Sequence, residues 1–553
     1  MPLMDPNAPS GEAAATRYAV QDMDHLGLVA GMVDELGLVE RIDSLIPQDL
    51  AQRNLSVGLV VKAMILNGLG FIQRVLYLMP SFFQNKPLDR WLGPGIRPEH
   101  LNDDVLGRAL DTIYRYGPTR LFAPLAAQAV KRLGLTCRIG HLDATSVHTD
   151  GRYNSERDPP EGVIQITKGY SRDHRPELNQ VVTQLICENQ AGLPLFMAAL
   201  SGNSCDQTSF RETISEHIGQ LHTEVGLKYI VADSALYNEA TLQELGDFGW
   251  ISRVPETIGL ARELTLAVAG ELMLSSEEQA YRALGTRYGG LRQRWLVVYT
   301  RAARYRAEKT LQKQHLKQGQ AELKAFARLQ KTAFACEADA AAALQAFRKQ
   351  QGLTTVCDAQ VLARPRYFQK GRPSPHQTPD AYEYFIQGGL ASEIALHQQK
   401  LQRKSCFLIA TNELDEQALP DDHVIEHYKK DQQQVEGGFR FFNDPWFMAS
   451  TLFLKTPQRI MALMMIMTLC LLVYAAIEWR IRQALQVRDQ TFPDQKGQPT
   501  QRPTVRWVFQ FFSGIRLLLI SQTQRIVLSL NEHHRALLAL LGNRYVDLYA
   551  DSA

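Results

Sequence analysis

The sequence predicts an α/β fold in which alternating strands and helices lie between two helical regions. Strand patterns begin at residue 138 and alternate with helical stretches up to about residue 258. Residues 20–135 carry apolar residues at the three- and four-residue spacing of helices. Residues 491–553 start with a Pro-, Gly- and Gln-rich linker and continue as a helical tail rich in Leu and Phe.

The first predicted domain is helical and covers residues 20–135, after a disordered stretch at residues 1–19. Asn102 is a suitable N-cap for the segment LNDDVLGRALDTIYRYG, and Gly117-Pro118 is a stop signal. A short helical array of this kind is typical of a DNA-end-binding module. A helical cap on the next domain has the same pattern, so both interpretations stay open.

The predicted strands come from two parts of the chain, residues 136–258 and 404–490. RIGHLDATSVHTDG is the first strand, and QVVTQLICENQAGLPLFMAALSG is a hairpin that turns at residues 189–192. LKYIVADSAL and GWISRVP follow in the first part, and SCFLIATN opens the second. We therefore expect one sheet interrupted by an insertion.

Residues 259–403 are predicted to form that insertion domain, and its longest helical segment is basic. Residues 301–331 contain nine Lys and Arg but only two Glu. A basic stripe on a helix can follow a phosphate backbone, although a solvated helix face has the same composition. The candidate DNA contacts on this helix are Lys309, Lys313, Lys317, Lys324 and Arg328.

Charge, cysteine content and hydropathy limit the function classes. The formal net charge is only +2, so a nucleic-acid surface requires local segregation of charge. The seven cysteines are scattered and form no CxxC pair, which favours a reducing cytoplasm over disulfides or a zinc site. Residues 460–477 are apolar and just long enough to span a membrane, but a helix buried on all sides has the same composition. We predict the buried helix, with no membrane partner.

Three carboxylates are candidate metal ligands and catalytic residues. Asp143 lies in the apolar strand IGHLDATSV and Asp233 ends the apolar strand KYIVADSAL. Aspartate is rare in strands, and a buried carboxylate needs a partner. A shared divalent metal and two structural hydrogen bonds both meet that need, so both interpretations stay open at this point. Glu436 would complete a set able to hold two metal ions for in-line displacement at phosphorus. Lys429, Lys430 and Arg440 are predicted to face the scissile phosphates.

These residues resemble the catalytic residues of DDE transposases of bacterial insertion sequences, in the subgroup with a Tyr-Arg-Glu-Lys signature. The resemblance rests on HLDATSVHTDG with GYSRDHRPELNQ, YIVADSALYN with WISRVP, and YKKDQQQVEGGFRFFNDPWF. It implies a ribonuclease-H-like mixed sheet with a large insertion before the catalytic Glu436, and two Mg²⁺ ions or Mn²⁺ in their place. Tyr428 and Arg253 are further candidate DNA contacts.

The resemblance also implies an activity and its partners. Such a protein binds double-stranded DNA at the element ends as a homodimer, cleaves it by metal-assisted hydrolysis, and joins the 3′-OH ends to target DNA. It would act in the cytoplasm on nucleoid DNA.

Two positions depart from the signature. Asp431 stands where the subgroup has Arg, three residues after Tyr428, and Asn443 stands where it has Lys, seven residues after Glu436. Arg440 is a candidate phosphate contact in place of the Lys that is missing at position 443. The alternatives are therefore a catalytically inactive or repurposed DNA-binding protein, and a metal-dependent nuclease that does not join DNA.

Overall fold

The computed structural model contains two compact units. It describes residues 18–49, 54–71, 76–149, 153, 160–170, 175–374, 376–392, 394–431, 454–520 and 524–551. The core unit comprises residues 1–251 and 422–553, and the insertion unit comprises residues 252–421.

The core unit begins with one strand and a helical region. In chain order its elements are β1 (Tyr18–Asp22), α1 (Leu26–Leu36), α2 (Leu38–Leu45), α3 (Val57–Gly68), α4 (Met79–Phe83), α5 (Leu88–Trp91), α6 (Asp103–Tyr116) and α7 (Pro118–Leu133). Asn102 caps α6, because its Oδ1 accepts a hydrogen bond from the N–H of Val105 at 3.1 Å. Gly117 ends α6 with a φ of 100°, which favours glycine. Both signals were predicted from the sequence.

Five neighbouring strands of one sheet follow in the chain. The elements of this part are β2 (Ile139–Thr149), β3 (Asn179–Glu188), β4 (Pro194–Ser201), α8 (Asp206–Val225), β5 (Tyr229–Ala232), α9 (Glu239–Leu245) and β6 (Gly249–Arg253). The last strand, β6, runs past residue 251, where this segment of the core unit ends. The strand order is β4-β3-β2-β5-β6, in which β2, β3 and β4 are antiparallel neighbours and β5 is parallel to β2. This is the strand order of the ribonuclease-H-like fold, and the predicted fold class is confirmed.

The described part of the insertion unit has further strands and four helices. Its elements are α10 (Gly259–Leu272), β7 (Gln279–Tyr288), β8 (Leu291–Thr300), α11 (Arg301–Lys331), α12 (Glu337–Gln350), β9 (Thr354–Arg366), β10 (Ala381–Ser392), α13 (Ile394–Ser405) and β11 (Cys406–Thr411). Strand β8 pairs antiparallel with β7 and with β11, while β9 and β10 form a separate hairpin. The compact unit is therefore longer than the predicted insertion at residues 259–403, because β11 pairs with β8.

The chain then returns to the core unit. The remaining elements are α14 (Asp421–Glu426), the π-helical turn His427–Asp431, α15 (Pro457–Val487), β12 (Phe492–Pro493), β13 (Pro499–Thr500), α16 (Val505–Phe511), β14 (Arg516–Ile520), β15 (Gln524–Leu528), α17 (Glu532–Leu541) and α18 (Asn543–Leu548).

The prediction of a linker and a helical tail for residues 491–553 is wrong in part. Strand β14 pairs with β15 and with β1, and β12 pairs with β13 inside the predicted linker. Five-residue apolar runs such as RLLLI are compatible with either a helix or a strand, and the partner β1 is almost 500 residues away. Tyr18 and Ala19, at the end of the predicted disordered stretch, belong to β1.

Helix α15 is the central helix of the core unit. In its most apolar 18-residue window, 83% of the residues are buried inside the protein. Helices α1, α3, α6, α7 and α17 and strand β4 all pack against it. Its charged end is paired: Arg480 Nε lies 3.0 Å from Glu35 Oε1, and Arg482 Nη2 lies 2.7 Å from Glu478 Oε1. The packing agrees with the prediction of a buried core helix.

Substitution of Gly31 tests the packing between α1 and the C-terminal helix α18. A Cβ at Gly31 would lie 2.7 Å from the buried ring of Tyr545. We expect Gly31→Ala to lower the free energy of unfolding by about 1–3 kcal/mol through overpacking. Gly219→Ala is the matched control, because Gly219 is an exposed position in α8 with open space around it. That change should raise stability by about 0.5–1 kcal/mol. Denaturant unfolding measures both free energies. Equal changes for the two variants would contradict the close contact between Gly31 and Tyr545.

His25 predicts a pH dependence of stability. The ring is buried, stacks on Phe509 at 4.2 Å, and donates Nε2–H to the carbonyl oxygen of Leu69 at 2.8 Å. Burial lowers the pKa of His25 to about 4. Between pH 6.5 and pH 4, His25 therefore binds a proton in the unfolded chain but not in the folded protein. The free energy of unfolding falls as the pH falls.

The expected loss from His25 is about 3 kcal/mol over this range. His25→Gln retains an N–H donor for Leu69 but does not titrate, so its unfolding free energy should depend less steeply on pH. Chemical denaturation at several pH values measures the slope. An unchanged slope would show that His25 is not responsible.

Candidate active site

Asp143 and Asp233 are neighbours in the sheet of the core unit. Strands β2 and β5 are parallel, and Leu142 pairs with Ala232. Asp143 is the next residue of β2, and Asp233 is the first residue after β5, so the register places the two aspartates side by side. Adjacent strands are about 5 Å apart, which sets the spacing of the two residues. They lie at the carboxyl end of β5, the edge where open α/β sheets bind ligands.

Local hydrogen bonds orient both carboxylates. Asp143 is half-buried, and its Oδ1 accepts a hydrogen bond from the N–H of Ala144 at 2.7 Å. Asp233 is exposed, and its Oδ1 accepts one from the N–H of Ala235 at 2.9 Å. The second bond is an Asx-type turn that ends β5 and starts the loop to α9. The sequence prediction that these two strand aspartates belong to one site is consistent with this register.

The π-helical turn His427–Asp431 lies beside β5. It continues directly from α14 and packs against the strand that leads into Asp233. Within it Tyr428 is buried and Lys429 is half-buried. Single π-turns are rare and are frequent at functional sites. No sequence pattern predicted a π-turn, because its residues fit an ordinary helix equally well.

Several predicted site residues lie outside the described residues. These are Glu436 and Arg440, as well as Asn443, which departs from the signature; for Lys430 the side chain is not described. Within the described part of the chain, no group of three His, Cys, Asp or Glu side chains is arranged to hold a metal ion. The structure therefore brings together two of the three predicted carboxylates and leaves the third as a prediction.

The remaining candidate DNA contacts belong to the insertion unit. Arg253 ends β6 with its side chain exposed, and its Nη2 lies 4.0 Å from Glu256 Oε1. The five predicted cations of α11 are all exposed, while Ala303, Ala307, Leu311 and Phe326 form the buried face of that helix. The basic stripe is therefore available to solvent, as the helical spacing predicted.

The donor atoms of the site fit a hard divalent cation. Two carboxylates side by side supply the oxygen ligands that Mg²⁺ and Mn²⁺ prefer, and without a cation they repel each other. Cys187 lies on β3 opposite His141, one strand away. Burial, with the carboxylates of Glu188 and Asp143, raises the pKa of Cys187, so its thiol stays protonated and is a poor metal ligand.

Comparisons with known proteins add two similarities. Residues 18–127 match a family model described as a domain of unknown function (DUF4277), which is about a fifth of the chain and starts at the first residue of β1. No curated protein matches the chain. Among solved structures, the protein is similar to the piggyBac transposase in a cryo-EM structure of a synaptic complex with hairpin DNA. The identity is 8% and the TM-score 0.35, over 90% of this chain and 82% of that chain. A TM-score of this size does not define a shared fold.

Binding of Mn²⁺ tests the pair of aspartates. A cation that binds only the folded protein raises its stability, by about 2.7 kcal/mol at a hundredfold excess over Kd. We expect Mn²⁺ to raise the melting temperature of the wild type but not of Asp143→Asn or Asp233→Asn. Asp247→Asn, at an exposed position of the core unit outside the site, should respond like the wild type. If both site variants keep the full response, the two aspartates do not bind the metal.

Proposed function

We propose that the protein is a DNA transposase of the DDE class that cleaves DNA at element ends and joins the ends to target DNA. The observation that carries the proposal is the position of Asp143 on β2 beside Asp233, which directly follows the parallel neighbour β5, in a sheet with ribonuclease-H-like strand order. The similarity of three sequence stretches to insertion-sequence transposases supports the same class.

Chain geometry allows Glu436 to reach these aspartates. The π-helical turn packs on β5, and Asp431 is its last residue. Glu436 is five positions after Asp431, a step of at most about 18 Å in extended chain. This length of chain is compatible with the proposal that Glu436 joins Asp143 and Asp233.

Asp143, Asp233 and Glu436 are the proposed ligands of two Mg²⁺ ions. When bound, the two ions would activate the attacking oxygen and stabilise the leaving oxygen of an in-line displacement at phosphorus. The protein's own residues would position the carboxylates and bind the phosphates. Lys429, Lys430 and Arg440 are proposed phosphate contacts, with Tyr428 in the packing of the turn behind them. The proposed substrate is double-stranded DNA, bound by a homodimer on paired ends.

A second candidate function is DNA binding without catalysis. It is favoured by the two departures from the signature, Asp431 in place of Arg and Asn443 in place of Lys. An acid at position 431 would repel a phosphate, and Asn443 cannot supply a positive charge. A nuclease that cuts but does not join would have the same carboxylates, and only its products distinguish it.

Strand-transfer assays test the proposal. Labelled duplexes from the DNA that flanks the gene are incubated with the protein, a supercoiled target and Mg²⁺ or Mn²⁺. We expect joined products from the wild type, and a loss of at least about 100-fold for Glu436→Gln, because the charge stabilisation of the transition state is removed. Binding of the duplex should persist, since the phosphate contacts remain.

Glu244→Gln is the matched control, because Glu244 is an exposed residue of α9 outside the site. It should leave joining unchanged. Nicked DNA without joined products would indicate the nuclease. Duplex binding with no cleavage by any variant would indicate the non-catalytic protein, and Asn443→Lys then tests whether the missing cation is the cause.

A further inference from the structure

The positive charge of the protein is concentrated in the insertion unit. Residues 252–421 contain 24 Lys and Arg against 17 Asp and Glu, whereas the rest of the chain contains 36 against 41. The formal charge is therefore +7 for the insertion unit and −5 for the remainder, although the whole chain carries only +2. A separation of this kind favours contact between the insertion unit and a polyanion.

The hairpin of β9 and β10 is anchored in the insertion unit at one end only. Phe326, Ala340, Leu344 and Ile386 form a buried cluster, against which Val356, Ala359, Val361, Tyr384 and Leu390 of the hairpin also pack. The backbone of Tyr384 exchanges two hydrogen bonds with Phe334, at 2.9 Å and 3.0 Å. No hairpin member of this cluster lies between residues 362 and 383.

The far end of the hairpin is exposed on both faces. We name the described residues 364–374 and 376–383 the hairpin arm. Successive side chains of a strand point to opposite faces, yet all five residues from Leu362 to Arg366 are exposed. Two hydrogen bonds join the two sides of the arm beyond the last strand pair. The N–H of Phe368 donates to Asp380 Oδ2 at 2.8 Å, and the N–H of Asp380 donates to the carbonyl of Arg366 at 3.1 Å.

The arm carries cations and exposed aromatic rings. Its four cations, Arg364, Arg366, Lys370 and Arg372, occur within nine residues that contain no acid. Arg366 forms an ion pair with Glu383 at 2.6 Å, whereas Lys370 and Arg372 form none with the described residues. Phe368 is 68% exposed and Tyr382 is 51% exposed. Aromatic rings among cations can contact the sugars and bases of a nucleic acid.

We propose that the hairpin arm binds duplex DNA by entering a groove. The major groove is about 12 Å wide and admits a two-stranded β-ribbon. The cations would contact the phosphates at the groove edges, and Phe368 and Tyr382 would contact sugars or bases. The arm is continuous with the basic helix, because α11 packs on β10 through Phe326 and ends at Lys331 near the Phe334–Tyr384 bridge. This DNA-binding surface is additional to the proposed catalytic site.

Strand register allows the arm to be removed without disturbing the anchor. Tyr384 uses its backbone groups for Phe334, so Ala363 and Tyr384 are a pair without mutual hydrogen bonds, and Arg364 and Glu383 are a hydrogen-bonded pair. A two-residue turn must close on a hydrogen-bonded pair. Replacement of residues 365–382 by Asn-Gly therefore shortens the hairpin and retains its buried cluster.

Charge removal on the arm is the decisive measurement. Binding of a labelled duplex is followed by fluorescence anisotropy at several salt concentrations. Lys370→Gln with Arg372→Gln should weaken binding about tenfold or more and reduce the slope of log K against log salt by roughly 0.9 per lost phosphate contact. Phe368→Ala should weaken binding with the slope unchanged, because a ring contact releases no counterions.

Arg348→Gln with Lys349→Gln is the matched control, since it removes the same charge from exposed positions of α12 outside the arm. It should change affinity less than twofold. The proposal would be overturned if Lys370→Gln with Arg372→Gln binds DNA with the affinity of the wild type and the same slope of log K against log salt. Normal DNA binding by the variant with the shortened hairpin would also overturn it. Asp143→Asn should bind normally and fail only in cleavage, so the two proposals fail separately.

Discussion

Burial of helix α15 is the constraint on which the core unit depends. Residues 460–477 contain no charge, so this helix has no face that water stabilises, and each buried Leu, Ile or Met contributes about 1.5–3 kcal/mol. Helices α1, α3, α6 and α7 cover it on some sides, and strand β4 and helix α17 on others. The helical region, the sheet and the tail consequently form one compact unit, although they come from distant parts of the chain. Ion pairs at both ends, Arg459 with Asp111 and Arg480 with Glu35, fix the register of this packing.

The candidate site follows from a second constraint, the parallel pairing of β2 with β5. Because Leu142 pairs with Ala232, two aspartates separated by 90 residues become neighbours. Had the register shifted by one residue, Asp143 and Asp233 would no longer be side by side. The π-helical turn beside β5 brings the chain back to the same edge after the whole insertion unit. The two neighbouring aspartates are the arrangement from which we infer phosphoryl-transfer chemistry.

Positive and negative charge are concentrated in different units of the protein. The core unit has a net negative charge and holds the proposed acidic site, whereas the insertion unit carries the excess of cations. A DNA substrate would be bound largely by the insertion unit, through α11 and the hairpin arm, and be held at the carboxylates by a few cations. Affinity and catalysis would then depend on different residues. Glu322 shows that acids in the basic unit serve its fold: its carboxylate accepts hydrogen bonds from the N–H groups of Gly352 and Thr354, each at 3.0 Å.

The sequence by itself determined the features that depend on local patterns. Periodicity located the strands around Asp143 and Asp233 and the helix at residues 460–477, and composition located the basic helix α11. Tertiary structure alone decided the features that depend on long-range pairing. The register of β2 and β5, the pairing of β1 with β14, and the free end of the β9–β10 hairpin are set by partners distant in the chain, which periodicity cannot report. The cations of the hairpin arm were visible in PRYFQKGRP, but only the position of the buried cluster shows that this segment projects into solvent.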